Sequence, residues 1–432
     1  MRVVIVGAGL GGLACAIACR REGIDVVVLE RSPEVREVGA GIQIPPNGGR
    51  IMRDLGVLPQ LLDQGSQVQQ VDFRRYKDGH LLRSMPFGDD ITREYDAPWI
   101  ADYYRVLLDE AIRLGANIRF GVEVEHVLTD GPEAILAGGE RVSGNIVVGA
   151  DGIGSLVRHS VLNDTVSLVE TGDLAYRATF QKEQLEALGD DKVNDLCQRV
   201  GVTSWLGPDK HTIFYPVRGG KEFNLVLLRP DNLTQGSRRE KGDIQEMRES
   251  YAGWDETLQK IISCVPSIDK WKLTHLPELP SWTKNTVTLL GDACHPTLPY
   301  QAQGAAMAVE DGAIIGKLLG LLQARYRKLE RDPSLSDNEP TPETLISLLK
   351  LYEQIRKAPT TRSVQAAIMN RKLFHLQDGL LRSIRDFLLR YAGVTRKSDW
   401  TWLSSSRQRR SLGLDVLKDC SIAFEAWEAS FF

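Results

Sequence analysis

The residues with the most pointed chemistry open the chain. Gly7-Ala8-Gly9-Leu10-Gly11-Gly12 follows an apolar run, Val3 to Val6, and leads into an alanine-rich stretch with helical spacing from about Leu10 to Glu22. In that setting the spacing is a dinucleotide fingerprint: Gly7 for a tight turn, Gly9 for approach of a pyrophosphate to the backbone, Gly12 for close helix packing. The N–H groups and dipole at the start of the helix favour an anion. Glu30 closes the next apolar run, Asp25 to Leu29, where its carboxylate can accept from a ribose diol, with Arg31 beside it. An acid there suits the unphosphorylated ribose of FAD or NAD and disfavours NADP.

Four ordered segments narrow the choice. Besides the glycine turn there are Gly39-Ala40-Gly41-Ile42-Gln43-Ile44-Pro45-Pro46-Asn47, Gly149-Ala150-Asp151-Gly152 running to Arg158, Gly291-Asp292-Ala293-Cys294-His295-Pro296, and Gln303-Gly304-Ala305 running to Asp311. Taken singly, an Asp-Gly pair is a common turn and an aspartate after a buried strand is a common helix cap. Together they resemble the class A flavin monooxygenases, a family that includes para-hydroxybenzoate hydroxylase and the salicylate hydroxylase-like enzymes. The resemblance spans about residues 1 to 315.

That resemblance implies FAD as cofactor, bound by Gly7, Gly9, Gly12, Glu30, Arg31, Ala40, Gly41, Asp151, Asp292, Pro296, Gly304 and Ala305. Asp292 is expected to accept from the ribityl chain, and Gly304 and Ala305 to open a helix whose positive end faces the reduced flavin. It also implies the reaction: NAD(P)H reduces FAD, O₂ is trapped as a C4a-hydroperoxide, and an aromatic or otherwise electron-rich small molecule takes up one oxygen atom by hydroxylation or epoxidation. No second dinucleotide fingerprint is present, which suits a nicotinamide that docks transiently. His295 is expected to serve the turn beside the flavin rather than to act as a base. The setting it implies is specialised metabolism.

Two catalytic candidates follow from the same resemblance. Arg177, in Ala175-Tyr176-Arg177, is expected on a strand facing the flavin, where a guanidinium stabilises a phenolate, a carboxylate or the peroxide. Tyr215, in Phe214-Tyr215-Pro216, is expected to hydrogen-bond substrate. The chain departs from the family at one place: a His-Arg pair normally precedes the helix that begins near Ala101, and here Trp99-Ile100 abuts Ala101 directly. Arg105, one turn into that helix, is the candidate substitute. The alternatives are an oxidase or halogenase on the same scaffold, or a non-catalytic flavin-binding homologue. Halogenation is disfavoured because Trp400-Thr401-Trp402-Leu403 lacks the Ile-Pro of the halogenase signature.

The elements that must position these residues read as an α/β fold: a discontinuous Rossmann-type FAD-binding domain over 1–165 and 281–330, an inserted β-rich substrate domain over 166–280, and a helical C-terminal region over 331–432. A β-α-β unit opens the chain, and helices are expected from about Asn47 to Leu55 and Tyr103 to Leu114. Strands are expected at Leu174 to Gln181, His211 to Val217 and Phe223 to Leu228, with polar helices around Ile244 to Ser263. The strand Thr286 to Leu290 returns to the first domain and precedes a long helix. A polar linker, Asp332 to Thr341, leads to a helical tail from about Pro342 to Leu389.

Composition agrees. The 432 residues are 42% hydrophobic and carry net charge −4, which argues against nucleic acid or an anionic membrane as a partner. No apolar run reaches the ~20 residues of a membrane span. The six cysteines show no CxxC pair or zinc spacing, so no metal is expected and a reducing, cytoplasmic setting fits. The first strand begins at residue 2, leaving no room for a signal peptide.

Overall fold

The computed structural model describes residues 1–34, 42–86, 99–101, 103–164, 166–329, 339–391 and 412–432. Ala40 and Gly41, most of the expected linker and the Trp400 to Leu403 string lie outside the described residues.

The chain opens with strand β1 (Arg2–Val6), helix α1 (Leu10–Arg21) and strand β2 (Asp25–Glu30). β1 and β2 are parallel neighbours in a six-stranded sheet, ordered Thr283–Lys284, Val287–Leu289, Ile146–Gly149, β1, β2, Asn117–Phe120. Their Val/Ile runs are buried on both faces, the pattern expected of strands covered above and below. Val287–Leu289 pairs in parallel with Ile146–Gly149, so the first sheet is completed only after the chain has built another.

The second sheet has eight strands. In order they are Arg239–Lys241, Asp269–His275, Val169–Gln181, Glu222–Pro230, Lys210–Val217, Gly201–Gly207, Gln70–Arg75 and Leu81–Pro86. Two of these come from residues 70–86, far upstream of 166, because Gln70–Arg75 pairs in parallel with Gly201–Gly207. Along Val169–Gln181, Leu174, Tyr176 and Ala178 point toward helices packed on one face, including Glu256–Ser263. Ala175 and Arg177 alternate to the other face, which turns toward the first sheet's loops and the C-terminal helices. The fold is the expected α/β arrangement with a helical C-terminal region.

Two long helices bind the halves. Helix Gly304–Leu329 lies along α1 on a seam of small residues: a Cβ added at Gly312 would sit 2.5 Å from the Gly11 carbonyl, and one at Gly316 would sit 2.3 Å from Ala18 Cβ. Cys15 and Cys19, both buried and free, belong to this close contact. Helix Pro342–Phe374 then joins both cores, the first sheet's through Leu345 to Tyr352 and the second sheet's through Ala367 and Phe374. The helical tail consists of two helices: the chain turns at Gly379 (φ +145°) into the second, Leu380–Tyr391. A last helix, Val416–Phe431, packs on Gly304–Leu329. Among the described residues no helix is long and apolar enough to cross a membrane.

Candidate active site

The glycine turn is held by backbone and by one carboxylate. Gly7 adopts φ +106°, its N–H donates to the Leu29 carbonyl at 2.8 Å, and a Cβ there would strike the Ala150 carbonyl at 2.4 Å. Only glycine meets both demands. A Cβ on Gly12 would lie 2.1 Å from the Gly7 carbonyl, whereas one on Gly9 would meet nothing within 4 Å. Gly9 also caps α1 without a side chain, so the first-turn N–H groups face that open space with no side-chain acceptor. Such a cradle fits a pyrophosphate. Glu30 Oε2 accepts from the Ala8 N–H at 2.8 Å and Oε1 from Ser32 at 2.7 Å, leaving lone pairs for a ribose diol. Arg31 follows, exposed.

The Asp151 and Asp292 loops approach the same turn and are tied together. Asp151 accepts from Ser155 Oγ at 2.5 Å and from the N–H groups of Leu156 and Val157 at 2.7 and 3.1 Å, so its carboxylate shapes its own loop and caps helix Leu156–Leu162. Arg158, 3% exposed, donates Nη1 to the Ala293 carbonyl at 3.0 Å and Nη2 to that of Ile153 at 2.9 Å. Asp292 is open to solvent while ringed by protein, the position of a cleft wall. Burial pushes its carboxyl above the ordinary carboxylate value, against the pull of His295. Pro296 is buried at the end of that loop, and Gly304 and Ala305 start the long helix, Gly304 closing on Thr297.

Beneath the Asp292 loop lies a buried polar cluster. Asp311 accepts from the Gly291 N–H at 2.9 Å, from His295 Nε2 at 2.6 Å and from Arg356 Nε at 2.6 Å. Arg356 reaches Glu310 at 2.7 Å, and Glu310 accepts from Asn47 at 2.8 Å. Burial alone would raise the Asp311 pKa, but His295 and Arg356 hold it below its ordinary value. With Nε2 occupied and its ring 5.2 Å from that of Trp282, His295 supports the loop. Arg356 belongs to no motif, and its role was not legible from spacing.

On the eight-stranded sheet, Arg177 is opposite Val226, which is opposite Ile213; two residues along, Asn224 is opposite Tyr215. Positions two apart share a face, so Arg177, Asn224 and Tyr215 point to one side. Asn224 donates to the Tyr215 hydroxyl. Burial raises the Tyr215 pKa, and the Arg177 charge nearby draws it back. Among the described residues Arg177 has no acidic partner. Val226, Leu298, Tyr300 and Phe374 line the apolar surface around them. Leu298 and Tyr300 follow the Asp292 loop directly, which brings that loop to this sheet face. Asn224 was missed at the sequence level, where its mark is a lone amide in the apolar run Phe223 to Leu228.

Arg105 is not brought into this group. Its side chain is exposed and pairs with Asp109 one turn on at 3.0 Å, as an i,i+4 pair on an outer helix face does. Its neighbour Tyr104 is turned inward instead, with a pKa raised by burial and by the charge of Glu30.

Residues 1–328 match the family described as FAD binding domain. The FAD-dependent monooxygenase OpS4 of Beauveria bassiana is 40% identical over 396 residues, covering 89% of this chain and 88% of that protein. The 6-hydroxynicotinate 3-monooxygenase of Pseudomonas fluorescens is 32% identical over 335 residues, covering 76% and 85%. Among solved structures, CtdE in complex with FAD and substrate 4 aligns with TM-score 0.81 at 20% identity over 99% of this chain and 98% of that one. A salicylate hydroxylase substrate complex aligns with TM-score 0.78 at 20% identity over 98% of each chain. At those identities the structural likeness speaks for the fold.

Proposed function

The chain belongs to the FAD binding domain family and is an FAD-dependent monooxygenase; from that premise we propose that it uses NAD(P)H and O₂ to oxygenate an aromatic, electron-rich small molecule held against the Arg177–Tyr215 face. Bound FAD supplies hydride acceptance and activation of O₂. Gly7, Gly9 and Gly12 would hold its pyrophosphate, Glu30 its ribose, and Asp292 the chain leading to the ring.

The single observation carrying the substrate class is an arginine without an acidic partner beside a phenol. Arg177 presents a half-buried positive charge that a substrate phenolate or carboxylate would complete. Asn224 already donates to the Tyr215 oxygen, so the Tyr215 O–H is directed onward, free to donate to a substrate oxygen. Its raised pKa keeps that proton in place at neutral pH. Val226, Leu298 and Phe374 exclude water from the same space. A relative named for action on hydroxynicotinate is consistent with an acidic hydroxyarene. The reaction is read as one of specialised metabolism, a setting in keeping with the family resemblance.

The test is NAD(P)H oxidation by the FAD-loaded enzyme against hydroxyarenes with and without a carboxylate, with isotopically labelled O₂. One labelled oxygen in the product supports the proposal. Flavin reduction that yields only peroxide for every compound would instead assign an oxidase.

A further inference from the structure

Helix Leu380–Tyr391 is mounted inside out. A surface helix normally turns its apolar stripe to the core and its charges to water. Here the buried positions are Arg385, 7% exposed, and Leu389, while Leu380 (76% exposed), Leu381 (67%), Ile384, Phe387 (61%), Leu388 and Tyr391 form the outward surface. At 100° per residue those six fall within one arc of about 120°, and the buried pair lies outside it, beyond Leu381. The mounting is enforced: Arg385 donates to the carbonyls of Leu373 and Phe374 and pairs with Asp386, so the inward charge is satisfied. Met369, 54% exposed on the preceding helix, adds to the exposed apolar surface.

The surrounding charge is basic. Between 362 and 391 the sequence has six arginines and lysines against two aspartates, in a chain whose net charge is −4. The acids near the stripe are neutralised, Asp378 by Arg382 and Asp386 by Arg385. Arg390, Lys372 and Arg362 remain exposed. Whole-chain charge averages this away, which is why composition argued against a membrane partner.

We propose that this face docks on an anionic lipid surface, the helix lying in the plane of the headgroups with its six apolar side chains inserted and Arg390, Lys372 and Arg362 at the phosphates. A second copy of the chain is the poorer occupant. Two such faces in contact would set the exposed Arg390, Lys372 and Arg362 of one copy against the same cations of the other. The inner side of the helix reaches, through Leu389, the core that contains Val226 and Ala175, so docking sets the Arg177 face beside the membrane.

Cosedimentation of the full-length, FAD-loaded enzyme with phosphatidylcholine vesicles, with and without phosphatidylserine, tests this. Wild type is expected to sediment with the phosphatidylserine vesicles, less so as salt rises. Leu381→Glu with Phe387→Glu should lower the bound fraction roughly tenfold or more, and Arg390→Glu by less. Flavin content and NAD(P)H oxidation in solution should be unchanged in the double variant. The proposal is overturned if wild type does not sediment with anionic vesicles or if the double variant sediments equally. It is also overturned if light scattering shows a wild-type dimer that the double variant converts to monomer.

Discussion

Arg158 donates its Nη1 to the carbonyl of Ala293 at 3.0 Å, joining two loops separated by 135 positions in the sequence. The bond is buried, and with the second donation to Ile153 it sets the distance between the loop that carries Asp151 and the loop that carries Asp292. Arg158→Met leaves two carbonyls without their partner. Buried hydrogen bonds to a charged group contribute about 1.5–3 kcal/mol each. FAD should therefore bind roughly tenfold or more weakly, read by fluorescence titration, while the far-ultraviolet circular dichroism stays native.

Arg356 compensates both Asp311 and Glu310 at a buried site. Arg356→Leu strands two buried carboxylates, at a cost of about 3–5 kcal/mol, and should lower the melting temperature at pH 7 more than any surface arginine variant. The pH dependence has a definite sign. Because the folded pKa of Asp311 lies below its ordinary 3.8, the stability it contributes is fully present above that value and is lost as pH falls through the lower folded one. Acid unfolding of the wild type should steepen there, and the Arg356 variant should lose that steepening.

His211 and His375 share a 2.8 Å contact where the sheet meets the C-terminal helices. Asp173, Arg371, Tyr300, Arg385 and Asp209 surround them. Burial pushes the His375 pKa down to about 4, partly resisted by Asp173, and pushes His211 well below 6.5. Both are neutral in the folded state at pH 7, so stability is full above 6.5 and falls as the unfolded chain takes up protons between about 6.5 and 4. For His375 alone the loss is on the order of 3 kcal/mol. Melting temperatures across that window should fall in the wild type and flatten in His375→Gln.

Arg177→Met removes the charge and keeps the stem. Turnover with an acidic hydroxyarene should fall by roughly a hundredfold or more, with FAD content unchanged. Tyr215→Phe should lose less, about tenfold, since Asn224 and Arg177 remain. Near-normal product formation by Arg177→Met ends its catalytic assignment.

The glycine turn was legible because its demands are local: strand, turn and helix follow one another within a few residues, and Glu30 returns to Ala8 across a single β-α-β unit. The discontinuity of the first sheet was legible because the Asp292 loop carries its own motif. What escaped depends on partners distant in sequence. Gln70–Arg75 has no strong alternation, and its place in the second sheet is set by Gly201–Gly207. Arg356 is one charge among many on a long helix until Asp311 is brought to it. Helical spacing announces an apolar stripe in Leu380–Tyr391 but does not say which way the stripe faces, and Arg105 carries the same ambiguity: its spacing allowed an inward role, while its pairing with Asp109 turns it to solvent.

We propose that one FAD lies across the Gly9, Asp151 and Asp292 loops with its ring toward Arg177. The most direct measurement is the visible spectrum of the purified enzyme, reconstituted with FAD and titrated with an aromatic acid. One flavin per chain is expected, with a saturable spectral shift that disappears in Arg177→Met while flavin content stays the same. A protein that stays colourless after reconstitution, or a shift that survives in Arg177→Met, would contradict it.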